Sequence, residues 1–234
     1  MNESFISRCD MADARLQSIY FHAGRLFNTK HYANTKVSEI AAAAGVATGT
    51  IYNLFTSKKA ILTFVIRASL EKDYLDSDIV LPVEEADMNH LNELNVKLHD
   101  RIFNDILRIA DANGSIIKRF EQMVSDIFDM SADILLATGN IETNASILRE
   151  LANAFFPAKD KFFQVFEHNL TIYMDSGEIR KLDYPRVHVQ CINDILTWWA
   201  MNANILMPDI SVPRDAAREI AVDLVARAYS IDRK

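Results

Sequence analysis

Five residues between positions 49 and 58 combine the chemistry that double-stranded DNA requires of a protein surface. Gly49 and Thr50 are small, so a helix that carries them can approach another surface closely, and Thr50 adds a hydroxyl. Tyr52 can reach a phosphate, and the carboxamide of Asn53 can make a two-point contact with adenine. Lys58 adds positive charge for a flanking phosphate. The set predicts one base-reading position surrounded by phosphate contacts.

Two short helices separated by a glycine are predicted to present these residues. Apolar residues at helical spacing begin at Val37, and the pattern ends at Gly45, a residue type that commonly stops a helix. Thr48 is predicted to cap the second helix. The inward face of that helix consists of Ile51, Leu54 and Phe55. Such a pair is a helix-turn-helix, which places its second helix in the major groove of DNA.

Two further helices are predicted to frame this pair. An apolar pattern at residues 14–27 predicts a helix before it. Ser57 is predicted to cap a helix after it. Residues 76–87 contain Pro82 and several carboxylates without helical periodicity, and they predict an irregular connection. We therefore expect a helical head whose boundary lies near Arg67.

Charge is unevenly distributed between the head and the remainder of the chain. The formal net charge is -7, but residues 1–72 hold nine Lys or Arg against five Asp or Glu, and the remainder holds 16 against 27. A mildly basic head attached to an acidic body suits a phosphate-facing module, because electrostatic fields act locally. A solvated imbalance of charge would give the same numbers, so the pattern by itself decides nothing.

The rest of the chain is predicted to be helical. Helical patterns occupy residues 91–110, 116–136, 142–155, 159–176, 186–206 and 214–229, and glycines and prolines separate them. Half of all residues are hydrophobic, and only 6 Gly and 5 Pro are present, which favours a packed all-α protein. We expect a helix-turn-helix domain at residues 1–67 and a larger helical domain at residues 68–234.

The helix-turn-helix region resembles the DNA-binding region of TetR-family transcriptional regulators. The residues that carry the resemblance are Val37-Ser38-Glu39-Ile40-Ala41, Ala44-Gly45-Val46, Gly49-Thr50-Ile51-Tyr52, Phe55 and Ser57-Lys58-Lys59-Ala60-Ile61-Leu62. The match spans about thirty positions with the family's spacing, and most of the chain lies outside it. The resemblance implies a homodimer of nine or ten helices per chain, in which the C-terminal domain binds a ligand and forms the dimer.

The resemblance also implies roles for individual residues. The implied DNA contacts are Thr48, Gly49, Thr50, Tyr52, Asn53 and Lys58. The implied small core is Ile40, Ala44, Val46, Ile51 and Phe55.

Three positions depart from the family pattern. Lys36 replaces a capping threonine, so the helix that begins at Val37 loses its capping box with Glu39 unless Thr35 or Asn34 substitutes. We include Lys36 and Thr35 among the candidate DNA contacts, Lys36 as a phosphate contact. Ala47 replaces a serine and leaves capping to Thr48. Leu54 either touches a thymine methyl or packs inward.

A ligand site is predicted in the segment rich in aromatic and Met residues between positions 123 and 207. Concave ligand sites are mostly apolar with a few polar groups, which this composition can supply. The candidate ligand contacts are Phe166, Tyr173 and Trp198, although core packing explains the same pattern. Together with the resemblance, this segment predicts a repressor that a small, largely apolar molecule releases from its operator.

The last predicted helix carries an apolar stripe that two arrangements explain equally. The stripe consists of Ala217, Ile220, Ala221, Leu224, Val225 and Ala228. Its small residues allow another helix to approach closely, either in a homodimer interface or in the core of one chain. The sequence leaves both interpretations open.

Competing functions lack the corresponding chemistry. A helical enzyme that binds a small molecule, or a scaffold that does not act on DNA, would also fit an all-α body. The sequence contains no glycine-rich phosphate loop, nucleophile elbow or metal motif, and we expect no cofactor and no catalytic residue. The Glu84-Glu85 pair lies in a predicted turn, where solvated charge is expected. No apolar run approaches a membrane span, and no signal pattern opens the chain, so a cytoplasmic protein is expected.

Overall fold

The computed structural model describes residues 3–202 and 213–231. Within these ranges the chain is all-helical, which confirms the predicted fold class. The helices are α1 (Glu3–Asn34), α2 (Val37–Ala43), α3 (Thr48–Leu54), α4 (Lys58–Leu70), α5 (Met88–Arg101), α6 (Phe120–Thr143), α7 (Arg149–Ser176), α8 (Pro185–Asn202) and α9 (Arg214–Tyr229). A short π-helical segment, Ile102–Ile106, follows α5 directly.

The chain forms two compact units. The head unit comprises Met1–Val96 and Leu136–Phe155, and the body unit comprises Lys97–Leu135 and Phe156–Lys234. Helices α5, α6 and α7 therefore contribute residues to both units. The functional boundary predicted near Arg67 concerns DNA binding rather than packing, and it stays a prediction.

The head unit has a continuous apolar core. Long apolar side chains at helical spacing on α1 and α4 supply most of it, because a helix that buries one face needs residues three or four apart on that face. Its largest fully buried members are Ile19, Phe27, Ile40, Ile51, Phe55, Ile61, Leu62, Phe64 and Ile66. The core joins α2 and α3 to α1 and α4, so the helix-turn-helix is supported on its inner side.

Two buried asparagines, Asn140 in α6 and Asn144 directly after it, bind the C-terminal part of α1. The side-chain amide of Asn140 donates to the carbonyl of Gly24 at 2.9 Å, and that of Asn144 donates to the carbonyl of Phe27 at 3.2 Å. The side-chain oxygen of Asn144 accepts from the backbone N–H of Tyr32 at 2.6 Å. Asn144 thus satisfies backbone groups on both sides of the kink of α1 at His31, whose φ is 65°.

Two predicted helices are one helix in the structure. Pro157 was expected to end a helix, but α7 continues through it from Arg149 to Ser176. Proline removes the N–H that would bond the carbonyl four residues earlier, which belongs to Asn153. Both residues are exposed, so water can satisfy that carbonyl. The prediction of six helices after the connection is wrong for this reason, and the part of the predicted helix 186–206 beyond Asn202 lies outside the described residues.

Phe120 contacts two other aromatic rings in the body unit. The ring of Phe120 lies 5.6 Å from that of Tyr173 and 5.7 Å from that of Tyr229, between centroids. Helices α8 and α9 pack against each other. The N–H of Arg180 donates to the carbonyl of Tyr229 at 2.9 Å. This hydrogen bond joins the C-terminal end of α9 to the turn after α7.

Among the helices of the described ranges, none has the length and apolar character needed to cross a membrane.

Candidate nucleic-acid interface

The turn between α2 and α3 has the geometry that the glycine predicted. Gly45 has a φ of 71°, a left-handed conformation that glycine adopts without a Cβ clash. The following N–H, of Val46, donates to the carbonyl of Ala41 at 3.0 Å. The hydroxyl of Ser18 on α1 donates to the carbonyl of Ala44 at 3.0 Å. The predicted stop at Gly45 is confirmed, and the turn is tied to α1.

A small core holds α2 against α3. Ile40, Ile51 and Phe55 are fully buried, and Ala44 and Val46 are partly buried against them. Leu54 is also buried, with 5% of its surface exposed. Of the two interpretations left open for Leu54, the structure supports inward packing.

The outward face of α3 carries exposed polar groups. Thr48, Gly49 and Asn53 are exposed, Thr50 is half-buried, and Tyr52 is 61% exposed. A Cβ added at Gly49 would meet nothing within 4 Å, so packing inside the head does not require glycine there. The absence of a side chain at Gly49 instead leaves room for close approach from outside. The structure thus brings these five predicted residues together on one short helix.

The capping role predicted for Thr48 is wrong. The residue in extended conformation immediately before α3 is Ala47, with φ -69° and ψ 146°, and its methyl group cannot accept a hydrogen bond. Thr48 is therefore the first helical residue rather than the cap. Its hydroxyl remains on the exposed surface of the helix.

Half of a capping box survives at the start of α2. The N–H of Lys36 donates to Oε2 of Glu39 at 2.9 Å, although the lysine side chain cannot supply the reciprocal acceptor. The ammonium of Lys30 donates to Oε1 of Glu39 at 2.9 Å. The backbone hydrogen bond from Lys36, followed by the contact with Lys30, lowers the pKa of Glu39. The start of α2 therefore needs neither Thr35 nor Asn34 as a substitute cap, and the Lys36 side chain is exposed.

Thr35 lies inside the head instead of on its surface. Only 1% of its surface is exposed. Its hydroxyl donates to the carbonyls of His31 at 2.9 Å and Leu26 at 3.2 Å. The side chain therefore closes the end of α1 and does not face the exterior, which separates Thr35 from the other predicted DNA contacts.

Lys58 has a structural role that the sequence did not reveal. Its ammonium donates to the carbonyls of Tyr32 at 2.8 Å and Thr35 at 3.1 Å. It also lies 4.2 Å from the centroid of the Tyr32 ring, within the range of a cation–π contact. An ammonium has three N–H donors, so one remains for a phosphate. Lys58 joins α4 to the end of α1 across more than twenty residues, a distance at which no local spacing signals the contact.

The irregular connection folds back onto the helix-turn-helix. We call residues 76–87 the acidic strap. The N–H of Val83 donates to the carbonyl of Leu54 at 2.7 Å, and the N–H of Thr56 donates to the carbonyl of Val83 at 3.0 Å. The strap is thus paired with the chain that leaves α3. Its irregular conformation was predicted correctly, but its pairing with the end of α3 was not.

The start of α4 is capped and carries an ion pair. Ser57 is the N-cap, and its hydroxyl oxygen accepts from the N–H of Ala60 at 2.9 Å, as predicted. The same hydroxyl donates to Oε1 of Glu85 at 3.0 Å, and the ammonium of Lys59 lies 3.0 Å from Oε2 of Glu85. The expectation that Glu85 is only a solvated turn residue is wrong, because the strap brings its carboxylate to α4.

The three predicted ligand contacts occupy different environments within the body unit. Phe166 is fully buried, and its ring centroid lies 5.9 Å from that of Phe162. Tyr173 is fully buried, its hydroxyl donates to the carbonyl of Lys118 at 2.8 Å, and burial raises its pKa. Trp198 is exposed. Because Phe166 and Tyr173 are fully enclosed by protein, they are core residues here, and the predicted ligand contacts stay predictions.

The match to a known family falls on the helix-turn-helix. Residues 19–63 match the family model for bacterial regulatory proteins of the tetR family. The head carries a tetR-family DNA-binding domain. The resemblance to TetR-family transcriptional regulators is confirmed, and it supports a DNA-binding transcriptional regulator. No curated protein matches the chain in sequence.

Most of the chain is similar in fold to a solved transcriptional regulator. The ketosteroid transcriptional regulator KstR2 of Mycobacterium tuberculosis has a TM-score of 0.54 at 13% identity, over 93% of this chain and 96% of that chain. The TetR family regulator PfmR from Thermus thermophilus has a TM-score of 0.47 at 18% identity, over 92% and 99%. FadR from Bacillus subtilis, in complex with stearoyl-CoA, has a TM-score of 0.42 at 17% identity, over 90% and 97%. At 13% identity, the likeness to KstR2 shows the fold alone.

Proposed function

We propose that the chain is a sequence-specific DNA-binding transcriptional regulator that acts as a repressor, with α3 as its recognition helix. The observation that carries the proposal is the outward face of α3, where polar groups stand exposed on a helix whose other side is locked into the head core. A rigid helix with a polar and partly small outer face suits the major groove.

Each exposed residue has a role in this proposal. Asn53 makes the base contact, and Gly49 permits close approach of the helix backbone. The hydroxyls of Thr48, Thr50 and Tyr52 donate hydrogen bonds to oxygens of the sugar-phosphate backbone. Lys36 and the third N–H of Lys58 bind flanking phosphates. Thr35 supports the start of α2 from inside and makes no side-chain contact with DNA.

Selection from random duplex DNA tests the proposal directly. We expect the full chain to enrich a pseudo-palindromic site, because two symmetric heads require two symmetric half-sites. The salt concentration is held fixed, since phosphate contacts make affinity strongly salt-dependent. Selection that enriches no sequence over an unselected pool would contradict sequence-specific binding.

We propose further that the protein is a homodimer in which α9 forms part of the interface. The predicted apolar stripe of α9 divides in the structure: Ala217, Ala221 and Val225 are buried, whereas Ile220 and Leu224 are exposed. One edge of the stripe therefore packs within the chain, and the other offers large apolar side chains to a second copy.

Charge placed on the exposed edge of α9 tests the dimer. Leu224→Glu should give folded monomers whose operator affinity falls by a factor of about 100 or more. In a monomer, binding of one head no longer raises the effective concentration of a second head at the other half-site. Val96→Glu is the matched control, since Val96 and Leu224 are each 53% exposed. Sedimentation and circular dichroism measure the assembly and the fold. A folded Leu224→Glu variant that remains dimeric would remove α9 from the interface.

We propose as the last part of the function that a small, largely apolar molecule with one polar group binds the protein and releases it from DNA. Asn95 on α5 is fully buried, and neither atom of its amide has a hydrogen-bond partner among the described residues. The side-chain oxygen of Asn92, one turn earlier, is also unpartnered in the described structure. A buried amide without partners is destabilising, so a polar group of a ligand would be favoured there.

A thermal-shift screen of hydrophobic metabolites and drugs provides the ligand for the test. Since coupling is reciprocal, the ligand should bind operator-bound protein about 1 to 3 kcal/mol more weakly than free protein. Asn95→Leu should raise the free energy of unfolding of the free protein by about 1 kcal/mol or more, because it removes an unsatisfied buried group. The same substitution should lower the affinity of the protein for the ligand. Equal affinities for free and operator-bound protein would exclude release by that ligand.

A further inference from the structure

Two side chains at the start of α4 bind a carboxylate of the chain itself. The hydroxyl of Ser57 and the ammonium of Lys59 each contact one oxygen of Glu85 at 3.0 Å. The N-terminus of a helix favours anions, since its first N–H groups and the helix dipole both attract negative charge. The hydrogen bond from Lys59 is the largest cause of a lowered pKa at Glu85, so the carboxylate is ionised at neutral pH.

Backbone contacts of the strap hold Glu85 near the start of α4 but leave its side chain free to rotate. Val83 is held by the backbone pairing with Leu54 and Thr56, and the N–H of Ala86 donates at 3.0 Å to the buried hydroxyl of Thr63. These anchors lie on both sides of Glu85, which gives its side chain a high effective concentration at the start of α4. The side chain of Glu85 is itself 43% exposed, so it can rotate away when another anion arrives.

The strap also reverses the net charge of the chain up to residue 87. Residues 1–75 carry a formal net charge of +3, and the strap adds five carboxylates with no Lys or Arg, which brings the total to -2. A field that would attract DNA over the first 75 residues is therefore compensated by the segment docked beside α3.

We propose that Glu85 is an intramolecular competitor of operator DNA, occupying with its carboxylate a phosphate site formed by Ser57 and Lys59. The proposal rests on the proposed DNA-binding function. A phosphate that binds there must displace Glu85, and the displacement weakens binding to every sequence by the same factor. The competitor thus lowers non-specific binding while leaving the base preference of α3 unchanged.

Charge removal at Glu85 tests the competition. Glu85→Gln should bind the selected operator and a random duplex each roughly 5-fold more tightly at low salt, the factor expected for an exposed ion pair. The dependence of log affinity on log salt should steepen by up to about one unit, because Lys59 becomes free for a phosphate. Fluorescence anisotropy over a salt series measures both quantities.

Glu84→Gln is the matched control, since it removes the same charge from the adjacent residue. Glu84 is exposed and makes no hydrogen bond or ion pair with the described residues. We expect less than about 2-fold tighter binding and an unchanged salt slope for this variant. Equal gains from Glu84→Gln and Glu85→Gln would overturn the proposal in favour of a general charge effect.

A second variant shows whether the effect passes through Lys59. In a Lys59→Met background the further change Glu85→Gln should give no gain, because the site has lost its cation. A full gain in that background would overturn the proposal. Wild-type affinity of a folded Glu85→Gln variant would also overturn it while leaving DNA binding intact, whereas failure of every variant to bind any duplex would overturn the proposed function as well. Glu85→Ala replaces the glutamine variant if thermal denaturation shows that the latter does not fold.

Discussion

The outer face of α3 and the start of α4 lie next to each other in sequence, but their polar side chains have different surroundings. On α3, Asn53 and Tyr52 stand exposed on a helix whose opposite side is buried. At the start of α4, Ser57, Lys58 and Lys59 all make contacts within the head. The groups suited to bases are presented to solvent, whereas the groups suited to phosphates are already engaged.

This difference separates two properties of a DNA-binding surface. Base contacts set sequence preference, and phosphate contacts set the affinity shared by all sequences. Under the proposal for Glu85, compensation of cations inside the head lowers the affinity shared by all sequences and leaves the sequence preference unchanged. The two lysines also differ from each other, since Lys58 binds backbone carbonyls and Lys59 binds a side chain on the strap.

The largest effect is expected at Lys58. Lys58→Met keeps most of the side-chain volume but leaves the carbonyls of Tyr32 and Thr35 without their charged donor. We expect the free energy of unfolding to fall by about 3 kcal/mol, since hydrogen bonds to charged groups contribute roughly 1.5 to 3 kcal/mol each. Denaturation by urea in the absence of DNA measures this change.

Lys59→Met is the control for that experiment, because it removes the neighbouring charge from an exposed ion pair. Such pairs contribute about 0 to 1 kcal/mol, so the stability should hardly change. If both lysine variants lose the same stability, Lys58 is not a structural clamp and the distinction between the two lysines fails.

A smaller effect, confined to one base pair, is expected at Asn53. Asn53→Ala should weaken binding to the preferred operator by about 2 kcal/mol and should bind operators changed at the contacted base pair nearly as well. The reason is that a two-point contact with adenine is lost while the phosphate contacts remain. Competition binding against a panel of single-base operator variants measures the change in rank order.

The Lys59→Met variant serves again as the comparison. It should weaken every operator in the panel by a similar factor, since it alters only the phosphate-facing edge. An unchanged rank order for Asn53→Ala would show that Asn53 does not contact a base. The contrast between α3 and the start of α4 would then lose its functional meaning.

Local features of the head could be predicted well. Apolar spacing located α2 and α3, Gly45 has the left-handed conformation expected of a helix stop, and Ser57 caps α4. Each of these depends on residues within about four positions of one another. The errors at Thr48 and Pro157 are also local, since each concerns the residue at which a helix begins or ends.

Contacts between distant parts of the chain could not be predicted. The amide of Asn140 reaches α1 across 116 residues, and Glu85 reaches Ser57 across 28. No periodic pattern encodes these pairs, because they arise only after the helices pack. The same reason explains why Thr35, predicted as a DNA contact, is buried in the head.

The sequence by itself determined the all-helical class, the helix-turn-helix and the polar face of α3, because helical periodicity and turn chemistry are properties of neighbouring residues. Only the tertiary structure decided which of the head's charged groups are available to a partner. Two lysines with adjacent numbers have different surroundings because one points to the end of α1 and the other to the acidic strap. The residue type determines the charge of a side chain. Whether an opposite charge compensates it depends on the distance between the two groups, which the packing of the helices sets.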